Sequence, residues 1–213
     1  MEQYIVSLFL AFFALEFIVE FALNELNLRH VRAHRVERQI PDYFYGRLSP
    51  DEYEKSVEYT LAKGRFQRWS GIYSRLVALI VLFSGLLPIA DELAARISQR
   101  FSLGIYGHGV LFCFALALYF AIAGLLTDVY STFALEAKFG FNKITPRLYV
   151  IDKLKGLVLG LMLGVPFLFV ILWLMQTTGS FWWTCAFVFI TGFQFLMIVI
   201  FPTFIAPWFN KFE

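Results

Sequence analysis

The stretch from Leu154 to Met175 reads LKGLVLGLMLGVPFLFVILWLM, and Lys155 is its single charge. As a helix it crosses the roughly 30 Å hydrocarbon core of a bilayer. Inside lipid no water is present to bond backbone N–H and C=O groups, so helix satisfies them within one segment. Four further apolar runs flank this one: about Gln3 to Leu23, Gly71 to Ala90, His108 to Thr127, and Trp182 to Phe204. The composition agrees. Hydrophobic residues make up 59% of the 213, mean hydropathy is +0.67, and only 16% are charged. A soluble domain is nearer half apolar. The fold class expected is all-α, a polytopic membrane helix bundle of about five transmembrane helices with helical cytosolic loops.

The connections differ in charge. Residues 24–70 carry nine Lys/Arg, and residues 128–155 carry Lys138, Lys143, Arg147, Lys153 and Lys155. Residues 91–107 offset Arg96 and Arg100 with Asp91 and Glu92, and the turn from Gln176 to Phe181 has no basic residue. The positive-inside rule puts the two basic segments in the cytosol, with the N-terminus outside or lumenal and the C-terminus cytosolic. Bacterial inner membrane and endoplasmic reticulum both fit. Glu2 stands where a signal peptide would carry basic residues, so the first run reads as a retained helix. Anionic membrane lipid accounts for the basic patches, and nucleic acid is not expected as a partner.

Local signals fill in the loops. Ser49-Pro50-Asp51-Glu52 is a capping-box helix start, continuing through Tyr53, Val57 and Leu61 toward the second span. Asn27 to Ile40 extends the first helix, and Pro41 breaks it. Gly156, Gly160 and Gly164 form a small-residue row that predicts close packing of the fourth helix, with a kink expected at Pro166. Asn142, after Gly140 and Phe141, marks a tight turn.

Chemistry-bearing residues are few. Glu16 and Glu20 share one face of the first helix, continued by Asn24. Acids there are costly, so they either pair with a buried Arg or polar group of another helix, or line a water-filled interior. His30 and His34 have metal-ligand spacing but lie among Arg29, Arg32, Arg35 and Arg38, which disfavours a cation. His108 stands alone at a helix start. Cys113 and Cys185 lie in apolar runs without a CxxC or Cys/His pattern and propose no metal site. No nucleophile elbow, phosphate loop or inverted repeat appears, and the last omission argues against a transporter.

Residues 130–143 read YSTFALEAKFGFNK, followed by Asp152 and Lys155. The run from Phe201 to Phe212, FPTFIAPWFNKF, and Pro41, Tyr59, Lys63 and Phe66 add to the pattern. Together they resemble the type I CAAX prenyl endopeptidases, integral-membrane zinc metalloproteases. Thr127 and Asp128 stand where that family often has proline shortly before the tyrosine, and Trp208 replaces its usual leucine. The family's zinc-binding HExxH helix follows the second motif, and no His-Glu pair occurs in this sequence.

The resemblance implies that residues 1–213 are the N-terminal membrane domain without the peptidase domain. Such a chain is a membrane scaffold and chamber wall. It would have no cofactor or catalytic group of its own, whereas the complete enzyme would hold zinc. The expected partners are membrane lipid, the peptidase domain in cis, and a prenylated or hydrophobic peptide substrate. Candidate chamber-lining or structural residues are Glu16, Glu20, Tyr130, Glu136, Asn142, Asp152, Lys155 and Asn210, with Glu136 expected to pair with Lys143 or Lys155. The alternative is a stand-alone, non-enzymatic membrane protein that binds lipid or a partner protein.

Overall fold

The computed structural model describes residues 2–37 and 49–209. Among them nearly every residue is helical and none lies in a strand. The main helices are α1 (Glu2–Glu37), α2 (Pro50–Phe83), α3 (Leu86–Arg100) and α4 (Gly104–Tyr130). After a π-helical turn, Ser131–Glu136, come the short α5 (Ala137–Phe139), then α6 (Pro146–Thr177) and α7 (Trp182–Ile200). A second π-helical turn, Phe201–Ile205, leads to α8 (Ala206–Phe209). Four stretches are long and apolar enough to cross a membrane: Gln3–Ala33, Gly104–Phe139, Pro146–Thr177 and Gly179–Phe209. The pair α2 and α3, counted as one broken span, is the fifth. At most 6% of the apolar window in each of the four spans is buried within the chain. Most of their side chains therefore face away from the rest of the described chain.

The helix starts follow the local chemistry. Ser49 caps α2: its Oγ accepts from the Glu52 amide at 3.3 Å, and the Ser49 amide donates back to Glu52 Oε2 at 2.9 Å. Thr145 caps α6 by accepting from the Leu148 amide at 3.3 Å, with Pro146 in the first turn. The α4–α5 helix ends in a full Schellman motif. Gly140, at φ +77°, donates to the Ala137 carbonyl at 3.1 Å, and Phe141 donates to the Glu136 carbonyl at 2.9 Å.

The structure revises three expectations. The second span, expected to run unbroken from Gly71 to Ala90, stops at Phe83 and restarts at Leu86. Gly85 sits at φ +81°, a left-handed conformation that ends one helix and opens the next. The expected loop 128–155 is largely helix and π-turn. The glycine row is the third. Nothing lies within 4 Å of where a Cβ would stand on Gly156, Gly160 or Gly164, so no described helix packs there. Helix α6 runs on through Pro166. Of the remaining sequence signals, Arg38, Pro41, Asn210 and the side chains of His34 and Arg35 lie outside the described residues.

Two compact units arise, Met1–Ser84 with Ile122–Lys143, and Gly85–Ala121 with Ile144–Glu213. In the first, α1 and α2 run antiparallel around Leu28, which is fully buried with Val57 and Leu61. Gly64 makes this approach possible, because a Cβ there would meet Leu28 Cδ2 at 2.5 Å. In the second, Gly109 plays the same part between α4 and α6, where a Cβ would stand 2.7 Å from Leu172 Cδ1. Phe167 packs its ring on Phe193 at 4.8 Å and on Phe189 at 5.4 Å, joining α6 to α7.

Overpacking at Gly64 should be costly. Gly64→Val is expected to destabilise the protein by about 1–3 kcal/mol in detergent melts, with part of the loss recovered by adding Leu28→Ala. A wild-type melting temperature for Gly64→Val would remove Gly64 from this seam. Gly160→Leu, with open space around it, is expected to be near neutral in the same assay.

The cap should show a pH signature. Hydrogen bonds from the Ser49 amide and hydroxyl hold the Glu52 carboxyl below the usual glutamate range. A lowered folded-state pKa adds stability above the unfolded value, and that stability is lost as pH falls through the folded value. The gap in melting temperature between wild type and Glu52→Gln should be present at about pH 6 and gone by about pH 3. A gap that persists at acid pH would mean that packing, not the carboxylate, sets it.

Candidate functional site

Arg75 lies within the apolar second half of α2, where an isolated guanidinium would be expensive. Its Nη2 donates to Glu16 Oε1 and Oε2, both at 2.9 Å, and to Glu20. Its Cζ stands 5.0 Å from the Phe17 ring centre, a cation–π contact on the same face of α1. Nη1 donates to the Gly71 carbonyl at 3.2 Å, while Nε is buried without a partner. Two carboxylates thus share one cation. Of the two readings open for Glu16 and Glu20, helix-to-helix pairing is the arrangement seen.

Two turns back along α2, Arg68 pairs with Glu25 at 3.2 Å and lies 5.6 Å from the Phe21 ring. Glu25 also meets Arg29 at 3.2 Å. Below Glu20 the same seam opens into a cavity of about 450 Å³ lined by Asn24, Asn27, Tyr59, Lys63 and Gln67 among others. Asn24 Oδ1 is buried there with no partner. This is a polar cleft between two otherwise apolar helices, roomy enough for water.

The other face of α2 meets the motif run of α4 and α5. Phe66 stacks on Tyr130 at 5.3 Å. Tyr59 sits edge-on to Phe141 at 4.8 Å and to Phe139 at 5.4 Å, and Lys63 lies 5.5 Å over Tyr59. The Tyr73 hydroxyl donates to the Ala123 carbonyl at 2.9 Å. Residues remote in sequence, Tyr59, Lys63 and Phe66 with Tyr130 to Phe141, therefore form one aromatic seam. The Glu136 carbonyl receives the Phe141 amide and, at 3.4 Å, that of Asn142. Its carboxylate makes no ion pair with Lys143 or Lys155 among the described residues.

Lys155 is engaged elsewhere. It donates to the Trp208 carbonyl at 2.9 Å and lies 3.5 Å from Asp152 Oδ1, with the Phe209 ring 5.7 Å away. Asp152 Oδ1 is shielded from solvent and makes no formed hydrogen bond, so its tie to Lys155 is electrostatic. His108 is not solitary, since its Nε2 lies 2.9 Å from Asp91 Oδ1. Among the described residues no three His, Cys, Asp or Glu side chains converge on a metal position. The donor set for zinc is thus not supplied by these residues, and no chemical step is assigned to them. Sequence reasoning did not single out Arg75. One arginine within the 71–90 run was the signal that could have found it.

Removing Arg75 strands two carboxylates, whereas removing one acid leaves an intact pair. Arg75→Leu is expected to lower the melting temperature in detergent far more than Glu16→Gln or Glu20→Gln alone. Neutralising both acids in the Arg75→Leu background should restore part of the loss. No recovery in the triple variant would show that Arg75 acts through packing rather than charge.

Residues 27–211 match the family described as CAAX prenyl protease N-terminal, five membrane helices. The chain is 27% identical over 215 residues to the CAAX prenyl protease 1 homolog of Dictyostelium discoideum, covering 99% of this chain and 49% of that protein. It is 30% identical to the homolog of Oryza sativa subsp. japonica, over 95% of this chain and 48% of that one. The crystal structure of S. mikatae Ste24p superposes with a TM-score of 0.81 at 27% identity, covering 92% of this chain and 46% of that one. The chain spans about half the length of the curated relatives it matches. It belongs to the family of CAAX prenyl protease N-terminal membrane domains, built of five membrane helices.

Proposed function

We propose that this chain forms the membrane scaffold and chamber wall of a CAAX prenyl endopeptidase-like zinc metalloprotease. The observation that carries the reading is the aromatic seam. Motif residues from two distant parts of the sequence, Tyr59, Lys63 and Phe66 on α2 and Tyr130 to Phe141 on α4 and α5, meet in space. A purely lipid-embedded bundle does not require cationic and aromatic groups at one such junction.

In this reading the polar cleft at Glu20, Asn24 and Lys63 belongs to the wet lining of the chamber. Its role is to hold an extended peptide next to water while the surrounding apolar helices accommodate a prenyl group. Zinc and bond cleavage belong to the part of the relatives that this chain does not match, joined to it in cis. Tyr130, Glu136 and Asn142 in the first unit, and Asp152 and Lys155 in the second, have structural roles near the membrane surface. The basic segments 24–70 and 128–155 face the cytosol, with the N-terminus on the opposite side.

The test uses the full-length gene product from its native membrane. Glu20→Leu with Asn24→Leu should raise KM for a prenylated peptide while leaving zinc content and kcat near wild type. Unchanged KM in a folded, zinc-loaded variant would defeat the chamber-lining assignment. Orientation has its own readout. In a chain with Cys113→Ser and Cys185→Ser, an impermeant maleimide should reach Lys143→Cys from the cytosolic side and Gln176→Cys from the other. The reverse pattern would overturn the topology.

A further inference from the structure

A second cavity, of about 570 Å³, lies between α2 and the C-terminal part of α4 with its π-turn. Its walls are apolar and aromatic, from Phe66, Trp69, Leu126 and Leu135, and its polar rim carries Arg65 and Lys138. No carboxylate lines it. Three of the four hydroxyls around it are already committed: Tyr73 donates to the Ala123 carbonyl, Thr127 to that of Gly124 at 2.9 Å, and Ser70 to that of Gln67 at 3.1 Å, which leaves the Tyr130 hydroxyl. The two cations are not committed. Arg65 spends only its Nε, on the Leu61 carbonyl at 3.3 Å, which leaves both terminal amino groups. Lys138 merely lies 5.5 Å over the Phe139 ring. Neither makes an ion pair among the described residues.

Two uncompensated cations at the rim of an apolar cavity call for a ligand with an anionic head and an apolar tail. Free phosphate would answer only the cations, and a neutral lipid only the walls. Trp69 and Leu126 are each 72% exposed, so this side of the cavity is open at the surface of the described chain. We propose that the cavity binds one anionic phospholipid, its phosphate held by Arg65 and Lys138 and an acyl chain laid along Trp69, Tyr73 and Leu126. The site depends on membrane insertion alone and not on the proteolytic reading.

Native mass spectrometry of the full chain released from detergent tests this, with dioleoyl phosphatidylglycerol, dioleoyl phosphatidylcholine and inorganic phosphate as probes. The expected result is one phosphatidylglycerol retained per chain. With each cation contributing about 1 kcal/mol, Arg65→Gln with Lys138→Gln should weaken retention roughly 30-fold. Phosphatidylcholine should bind the wild type no better than phosphatidylglycerol binds that variant. Inorganic phosphate should not displace the lipid. Equal retention by wild type and variant, or displacement by equimolar phosphate, overturns the proposal. Should the double variant fail to fold, Leu126→Trp fills the open side of the cavity with both charges intact. Undiminished retention there overturns it equally.

Discussion

An unbonded backbone amide in hydrocarbon has no water to turn to, and the rest of this structure follows from that constraint. Every apolar run must close its own ladder, so each becomes helix. Where a helix leaves the apolar region, its free amides or carbonyls need a dedicated partner. Ser49 and Thr145 serve at two starts, and the Gly140 Schellman turn serves at one end. The chain reverses or breaks where glycine takes a positive φ, as at Gly85 and Gly140.

With the backbone satisfied, helices in lipid gain little from apolar burial against each other, and other forces must select their neighbours. In the first unit α2 has two faces with different chemistry. Toward α1 it presents Arg75, Arg68 and Gly64, matched in antiparallel order by Glu16 and Glu20, Glu25, and Leu28. Toward α4 and α5 it presents Tyr73, Phe66 and Tyr59. Charge sets the register of the first seam, and ring stacking that of the second. The polar cleft and the cationic cavity lie along these seams, one on each side of α2.

Both π-helical turns fall in the stretches that carry the family resemblance, Ser131–Glu136 and Phe201–Ile205. Such a turn inserts an extra residue and rotates the side chains that follow. In the second, Pro202 lacks an amide to donate, and the Thr203 hydroxyl bonds the Val199 carbonyl at 2.7 Å. A motif read only as a string of residues does not reveal this change of phase. Helical spacing counted across Tyr130 to Phe141 would misplace the faces that Tyr59 and Phe66 contact.

Span number, the membrane class, the cap at Ser49 and the family lineage were legible from the sequence. Each depends on local composition, local hydrogen bonding or an uninterrupted motif. The sequence also identified Glu16 and Glu20 as a costly pair, because an acid in an apolar run is anomalous wherever it ends up. It did not select Arg75 as their partner, show that the glycine row on α6 faces open space, or direct Lys155 to Trp208 instead of Glu136. Those are pairings between elements distant in the chain. They are decided by helix register and by where a side chain as large as Leu28 leaves room for a glycine, and only the tertiary structure brings them together.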